Sequence, residues 1–159
     1  MHPTRNTLPT EIRARSIALL NLHLASAIDL HGQTKQAHWN VRGPGFIAVH
    51  QLFDTVSGAV EGYSDLLAER VGGLGGEAHG TVQAAAAKSI LPPYVLGVAD
   101  AKSHIFSVAS ALAGFGQSVR EAADKAQGYG DATTSDIFTE LSRGVDQQLW
   151  LVESHRGID

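Results

Sequence analysis

The chain has 159 residues, 43% of them apolar and 18% charged, a balance that suits one globular domain, 1–159, with a single buried core. A formal net charge of -4 gives the molecule no global attraction to nucleic acid or an anionic membrane, and no uninterrupted apolar run approaches the roughly 18 residues of a membrane span. With no cysteine there is neither a disulfide framework nor a thiolate ligand, so any metal must be held by nitrogen and oxygen.

Met1 to Thr10 is polar with two prolines and lacks the apolar stretch of a secretion signal, so a cytoplasmic location is expected, with residues 1–8 as a flexible lead. The first amphipathic stretch begins near Leu8, runs through Ile12, Ile17, Leu20, Leu24 and Ala27 to about Trp39, and stops at Arg42-Gly43-Pro44-Gly45. A second runs from about Phe46 to Leu74, ended by Gly72, Gly73, Gly75 and Gly76. In the connection that follows, a short helix is predicted from Thr81 to Lys88, with Thr81 as its cap, before Pro92-Pro93. The third long stretch, about Val98 to Ala126, ends at Gly128 and Gly130. The fourth runs from about Thr134 to His155, with Thr133-x-x-Asp136 as a capping-box-like start. Strand-like alternation is absent. An all-α four-helix bundle with a short extra helix between its second and third long helices is the economical reading.

The second long helix carries the chemistry. His50 and Asp54 are four residues apart, as are Asp65 and Glu69, and the two pairs are mirror-placed about a point between Ala59 and Val60. With His50 at zero and about 100° per residue, Asp54, Glu61, Asp65 and Glu69 fall within about the first 100°. Leu52, Phe53, Val56, Val60, Tyr63, Leu67 and Val71 gather at about 200–300°, so the ligand-type residues point away from the bundle core. The usual di-iron bundle projects Glu-x-x-His pairs inward, and no Glu-x-x-His occurs here. Asp54 and Asp65 are about 16 Å apart along a helix. One ion holds its ligands at about 2.0–2.2 Å, so the two pairs cannot share an ion within one chain. A two-fold axis between residues 59 and 60 would place His50 opposite Glu69 of a second copy and Asp54 opposite Asp65, giving two identical shared sites. Gly58 and Gly62, near that axis, would let the helices approach, and His38 could turn in from the preceding helix. Imidazole with carboxylate suits iron, zinc or manganese. The bland alternative is a solvated helix face.

The run Lys35-Gln36-Ala37-His38-Trp39-Asn40-Val41-Arg42-Gly43-Pro44-Gly45-Phe46-Ile47-Ala48-Val49-His50 closely resembles the signature of the Dps family (DNA-binding protein from starved cells), a branch of the ferritin-like superfamily. The resemblance continues through Asp54, Asp65, Ala68-Glu69-Arg70, Gly75-Gly76, Leu91-Pro92-Pro93-Tyr94, Asp136-Ile137-Phe138-Thr139-Glu140 and Leu149-Trp150. It implies a ferritin-like bundle, a hollow shell of twelve subunits, and oxidation of Fe(II), chiefly by hydrogen peroxide with dioxygen as the other oxidant, with storage of Fe(III) mineral. The family's iron ligands fall on His38, His50 and Asp54 of one subunit and on Asp65 and Glu69 of its two-fold partner. His38, Asp65 and Glu69 are assigned to the tighter iron, and His50 and Asp54 to a weaker second position. Zinc could substitute there. Trp39 is a candidate acceptor of a stray oxidising equivalent, or an aromatic that packs the helix end.

Asp131, Asp136 and Glu140 resemble the carboxylates lining the three-fold pores through which iron enters such shells, where converging charge concentrates cations. The competing reading for Asp131 and Asp136 is ordinary acidic enrichment at a helix start. DNA binding is not expected. Lysine-rich tails are missing: His2 and Arg5 precede the first helix, Arg13 and Arg15 lie just inside it, and His155 and Arg156 follow the last. Phosphate contacts by an assembled shell would have to overcome -4 per chain. A nucleoid-protecting DNA binder with weak or no ferroxidase activity, and a zinc-bound or metal-free structural cage, are the alternative functions. His23, His31, His79 and His104 are read as packed or surface histidines, and Tyr63 and Trp150 as packing residues.

Overall fold

The computed structural model describes residues 1–155; Arg156 lies outside the described residues. Five helices follow one another: α1 (Thr10–Asn40), α2 (Phe46–Gly73), α3 (Val82–Lys88), α4 (Ala101–Tyr129) and α5 (Ala132–Glu153). This is the expected four-helix bundle with its extra helix in the α2–α4 connection. Antiparallel α1 and α2 form one layer, and α4 with α5 the other. Between them Leu20, Leu30, Phe53, Leu67, Leu112, Phe115, Phe138 and Leu141 are fully buried.

α1 is covered on more than one side. The connection from α2 to α4 runs back along it, and hydrogen bonds mark the route. Asn21 Nδ2 donates to Glu77 O at 3.0 Å, Ile90 N to Ser26 Oγ at 3.2 Å, Gln33 Nε2 to Pro92 O at 3.0 Å, and Arg42 N to Ala99 O at 2.8 Å. The chain therefore returns to the C-terminal end of α1 before α4 begins, and α4 starts at the same end of the bundle as α2. This route explains why α1 buries polar side chains. Ser26 and Thr34 turn their hydroxyls to backbone carbonyls four residues back, at 3.0 and 2.8 Å. His23 bonds Leu19 O at 2.8 Å and Ser118 Oγ at 2.9 Å, which makes it a packed core residue.

Helix ends depart from the sequence expectation in instructive ways. Thr81 caps α3 as expected, accepting from Ala84 N at 3.2 Å. α4 begins later than expected, because Asp100, not Val98, caps it by accepting from Ser103 N at 2.8 Å. The capping box at Thr133 and Asp136 does not form. α4 instead ends on Gly130 in the left-handed conformation (φ 86°), and the next residue, Asp131, caps α5 directly. Trp150 is not a packing residue within the chain but 64% exposed, since the buried positions of α5 (Phe138, Leu141, Val145, Gln148 and Val152) define the opposite face.

Asp131 is only 1% exposed. Its carboxylate accepts from Thr134 N at 3.0 Å, from Thr134 Oγ1 at 2.6 Å and from Arg70 Nη2 at 2.8 Å, while Arg70 Nε donates to Thr134 Oγ1 at 3.0 Å. The start of α5 is thereby pinned to the end of α2. Burial pushes this carboxyl up, but the bonds from Thr134 and the Arg70 charge outweigh it, and the group lies below its ordinary range. A lowered folded value means the stabilisation is complete above the unfolded carboxylate value and is lost as pH falls through the folded one. Asp131→Ala should cost about 2–4 kcal/mol, combining a lost cap with an unpaired, poorly solvated guanidinium. Asp131→Asn should flatten the acid limb of stability, checked by urea unfolding across a pH series.

Candidate metal centre

Two left-handed glycines, Gly43 (φ 100°) and Gly45 (φ 75°), reverse the chain between α1 and α2. The reversal lays the first turns of α2 against the last turn of α1 and brings His50 onto His38. The two imidazoles stack, with centroids 3.7 Å apart and planes 21° apart. Each ring bonds the other residue's backbone: His38 Nδ1 to His50 O at 2.8 Å, and His50 Nδ1 to His38 O at 2.9 Å. A carbonyl can only accept, so both rings carry a proton on Nδ1 and both Nε2 lone pairs remain available to a cation. This reciprocal pair supplies from the backbone the outer support that a metal-binding histidine needs to fix its tautomer and orientation.

Asp54 approaches one of the two rings. His38 Nε2 lies 4.0 Å from Asp54 Oδ1, a gap that a cation with bonds of about 2.0–2.2 Å can bridge. The same oxygen accepts a hydrogen bond from Lys35 Nζ at 2.8 Å. The Lys35 hydrogen bond and charge hold the Asp54 carboxyl below its ordinary range. The Lys35 ammonium also sits 5.7 Å from the centre of the Trp39 ring, which is 65% exposed beside the cluster. The role of Lys35 was missed in the sequence, although its position three residues before His38 places both on one helix face.

Asp65 and Glu69 stand elsewhere. Both are exposed on α2, on the outward stripe that also carries Asp54 and Glu61, opposite buried Phe53, Val56, Val60, Leu67 and Val71. Among the described residues no three His, Asp or Glu side chains converge to hold one ion, so a single chain offers only part of a site. Gly58 and Gly62 are exposed, and a Cβ on either would meet nothing within 4 Å. The middle of the stripe is thus bare, with room for another surface to approach closely.

The three acidic residues grouped with a pore do not act together. Asp131 points inward and is consumed by Thr134 and Arg70, so it is withdrawn from that set because a buried, fully bonded carboxylate cannot line a channel. Asp136 and Glu140 are exposed one turn apart on α5. Of the other histidines, His31 Nδ1 lies 3.2 Å from Ser57 O, His79 is exposed, and His104 is buried beside Tyr94.

Comparison with known proteins follows the same lines. Residues 17–158 match the family model described as a ferritin-like domain. The DNA protection during starvation protein of Agrobacterium fabrum is 42% identical over 154 residues, 97% of this chain and 95% of the relative. DpsA14 from Streptomyces coelicolor superposes with a TM-score of 0.90 at 36% identity, covering 96% of this chain and 90% of that one. The structure of Dps from Microbacterium arborescens in the high iron form gives 0.86 at 32% identity, over 94% and 97% of the two chains.

Because Lys35 and a cation compete for the same carboxylate oxygen, Lys35→Met should tighten divalent metal binding at Asp54 by roughly a few-fold, the scale of an exposed ion pair. Calorimetric titration with Co(II) checks this. Equal affinity in both proteins would show that the ion pair yields without cost.

Proposed function

Since the chain belongs to the ferritin-like domain family and, within it, to the Dps proteins, whose membership supports iron storage and protection, we propose that it oxidises Fe(II) with hydrogen peroxide at sites shared by two copies and stores the Fe(III) product in a hollow shell. The observation that carries this reading is the division of ligands on α2. His38, His50 and Asp54 gather at one end, while Asp65 and Glu69 lie on the same outward stripe too far along to reach them. A two-fold axis at the bare Gly58–Gly62 surface joins the halves. Asp65 and Glu69 of a second copy then face His38, His50 and Asp54.

The chemistry follows from the donors. The two free Nε2 atoms receive Fe(II) as substrate. The carboxylates favour the harder Fe(III), which draws the oxidation forward. Two Fe(II) ions each give one electron to hydrogen peroxide, its O–O bond breaks, and two protons complete two waters. Pairing the electrons in this way avoids release of a hydroxyl radical. Dioxygen can serve as a slower oxidant, and Zn(II) would occupy the same donors without turnover. Lys35 holds Asp54 ordered until metal displaces it. Trp39 stands beside His38 to accept a stray oxidising equivalent. Asp136 and Glu140 draw Fe(II) toward a pore by their charge.

Membership of the Dps proteins supports assembly of several copies, and twelve is the number this reading takes. Phe46, Ile47, Leu96, Phe106 and Trp150, exposed on one chain, supply apolar surface for subunit contacts. No helix among the described residues is long and apolar enough to cross a membrane. Protection of DNA follows from removing Fe(II) and peroxide, without need for a lysine-rich tail.

His38→Ala combined with Asp65→Ala should abolish rapid peroxide-driven formation of Fe(III), followed by absorbance in stopped flow, while the shell persists. Mixed shells built from the two single variants should regain part of the rate, because some two-fold pairs place both intact halves at one site. Unchanged kinetics in the double variant would overturn the assignment of ligands. No recovery of rate in the mixed shells would overturn the sharing.

A further inference from the structure

One pair, a half-buried tyrosine and a buried histidine, takes no part in the metal centre. Tyr94, in the loop that follows Pro92-Pro93, has its hydroxyl 2.6 Å from His104 Nδ1 and also hydrogen-bonds the Ser107 side chain; with the imidazole proton on Nε2, the phenol donates to Nδ1. The two rings are 16° from parallel with centroids 6.1 Å apart. The phenol and imidazole lengths together with the hydrogen bond nearly use up that separation end to end. The rings therefore lie edge to edge, with the hydroxyl close to the imidazole plane where the Nδ1 lone pair points. His104 is 1% exposed, and its Nε2 is buried with no partner at hydrogen-bonding geometry. The ring lies by the backbone carbonyls of Val98 and Asn40 and the carboxylate of Asp100, each of which favours its protonated form, while burial opposes that form more strongly.

Placement gives the pair its meaning. Because the α2–α4 connection returns to the end of α1, His104 lies against Asn40, the residue after Trp39 and two after His38. The pair therefore packs against the end of α1 that carries His38 and Trp39.

We propose that Tyr94 and His104 form a redox site that quenches one-electron oxidants escaping the metal centre, with Tyr94 losing an electron as its proton passes to His104. In the balanced step a hydroxyl radical takes one electron and becomes hydroxide. The Tyr94 O–H bond breaks, its proton forms a new N–H bond at His104 Nδ1, and a neutral tyrosyl radical remains. When Trp39 is oxidised first, it supplies the hole and is itself restored. Fe(II) re-reduces the tyrosyl radical, becoming Fe(III), and the proton returns from His104 to the phenolate oxygen. The functional setting rests on the proposed iron oxidation, but the chemistry of the pair does not.

The arrangement favours Tyr94 over the chain's two other tyrosines. Tyr129 lies under the Arg15 guanidinium at 5.8 Å, where positive charge opposes a hole, and Tyr63 packs against Gly144. Burial pushes the Tyr94 phenol up to about 12, so it holds its proton at neutral pH and must shed it on oxidation. A base already aligned at 2.6 Å is within the reach that proton transfer requires. The unfavourable burial of the resulting imidazolium also drives the proton back once the radical is reduced.

The test uses the whole protein without iron, so that its failure is separate from failure of the ferroxidase reading. Azide radicals made by pulse radiolysis oxidise exposed tryptophan, and the absorbance of tryptophanyl and tyrosyl radicals is followed in time. A tyrosyl signal should grow as the tryptophanyl signal decays, more slowly in D2O. Tyr94→Phe should remove that growth and leave the tryptophanyl radical long-lived. His104→Gln keeps a polar side chain without a base and should slow the growth about a hundredfold. In a second arm, Fe(II) and peroxide added to Tyr94→Phe should form Fe(III) at the normal rate but leave more oxidised Trp39 by peptide mass spectrometry. A tyrosyl signal that survives Tyr94→Phe, or grows at an unchanged rate in His104→Gln, would overturn the proposal, as would unchanged Trp39 oxidation in the second arm.

Discussion

The structure depends on one helix having two incompatible faces. α2 buries Phe53, Val56, Val60, Leu67 and Val71 completely or nearly so, and that burial fixes its rotation within the bundle. Once the rotation is fixed, Asp54, Asp65 and Glu69 must face outward. A bundle whose ligands faced inward could close a metal site from its own helices. This one cannot, because its donors share a face and are spread along it. On the proposed reading, the need for a second copy is a consequence of core packing and not a separate feature.

The histidine end of the stripe is built by the turn that joins α1 to α2. Its glycines permit a reversal tight enough for His38 and His50 to exchange hydrogen bonds with each other's backbone. Those bonds satisfy two carbonyls near helix ends and at the same time aim two lone pairs outward. Lys35 compensates Asp54 electrostatically. On the proposed reading the half-site is ordered in advance on its imidazole side, and the Lys35 ammonium holds its carboxylate side.

The long connection has a comparable double effect. By running back along α1 it covers a helix whose own apolar stripe is weak, bonding Ser26, Gln33 and Asn21 on the way. It also delivers Tyr94 and the start of α4 to the end of α1 that carries His38 and Trp39. The opposite end is secured differently, by Asp131 gathering Thr134 and Arg70. A carboxylate that resembles a pore residue in the sequence is there a structural clamp between two helices.

Much of this was written in residue spacing. The number of long helices, the apolar and polar faces of α2 and the outward direction of Asp54, Asp65 and Glu69 follow from periodicity alone, because burial imposes the 3.6-residue repeat on the sequence. Spacing could also exclude a site closed within one chain, since helix rise converts residue numbers into distance. Caps were less legible. Asp131 and Thr133 are both good capping residues two positions apart, and only the conformation of Gly130 decides between them. Trp150 faces outward despite its apolar character, because the rotation of α5 is set by its other apolar residues together. What the tertiary structure alone decided are the contacts between distant segments: Lys35 with Asp54, Arg70 with Asp131, and Tyr94 with His104. The ends of each pair lie on different elements or in a loop without periodicity. No local repeat encodes such a meeting, which exists only after the core has fixed where each helix lies.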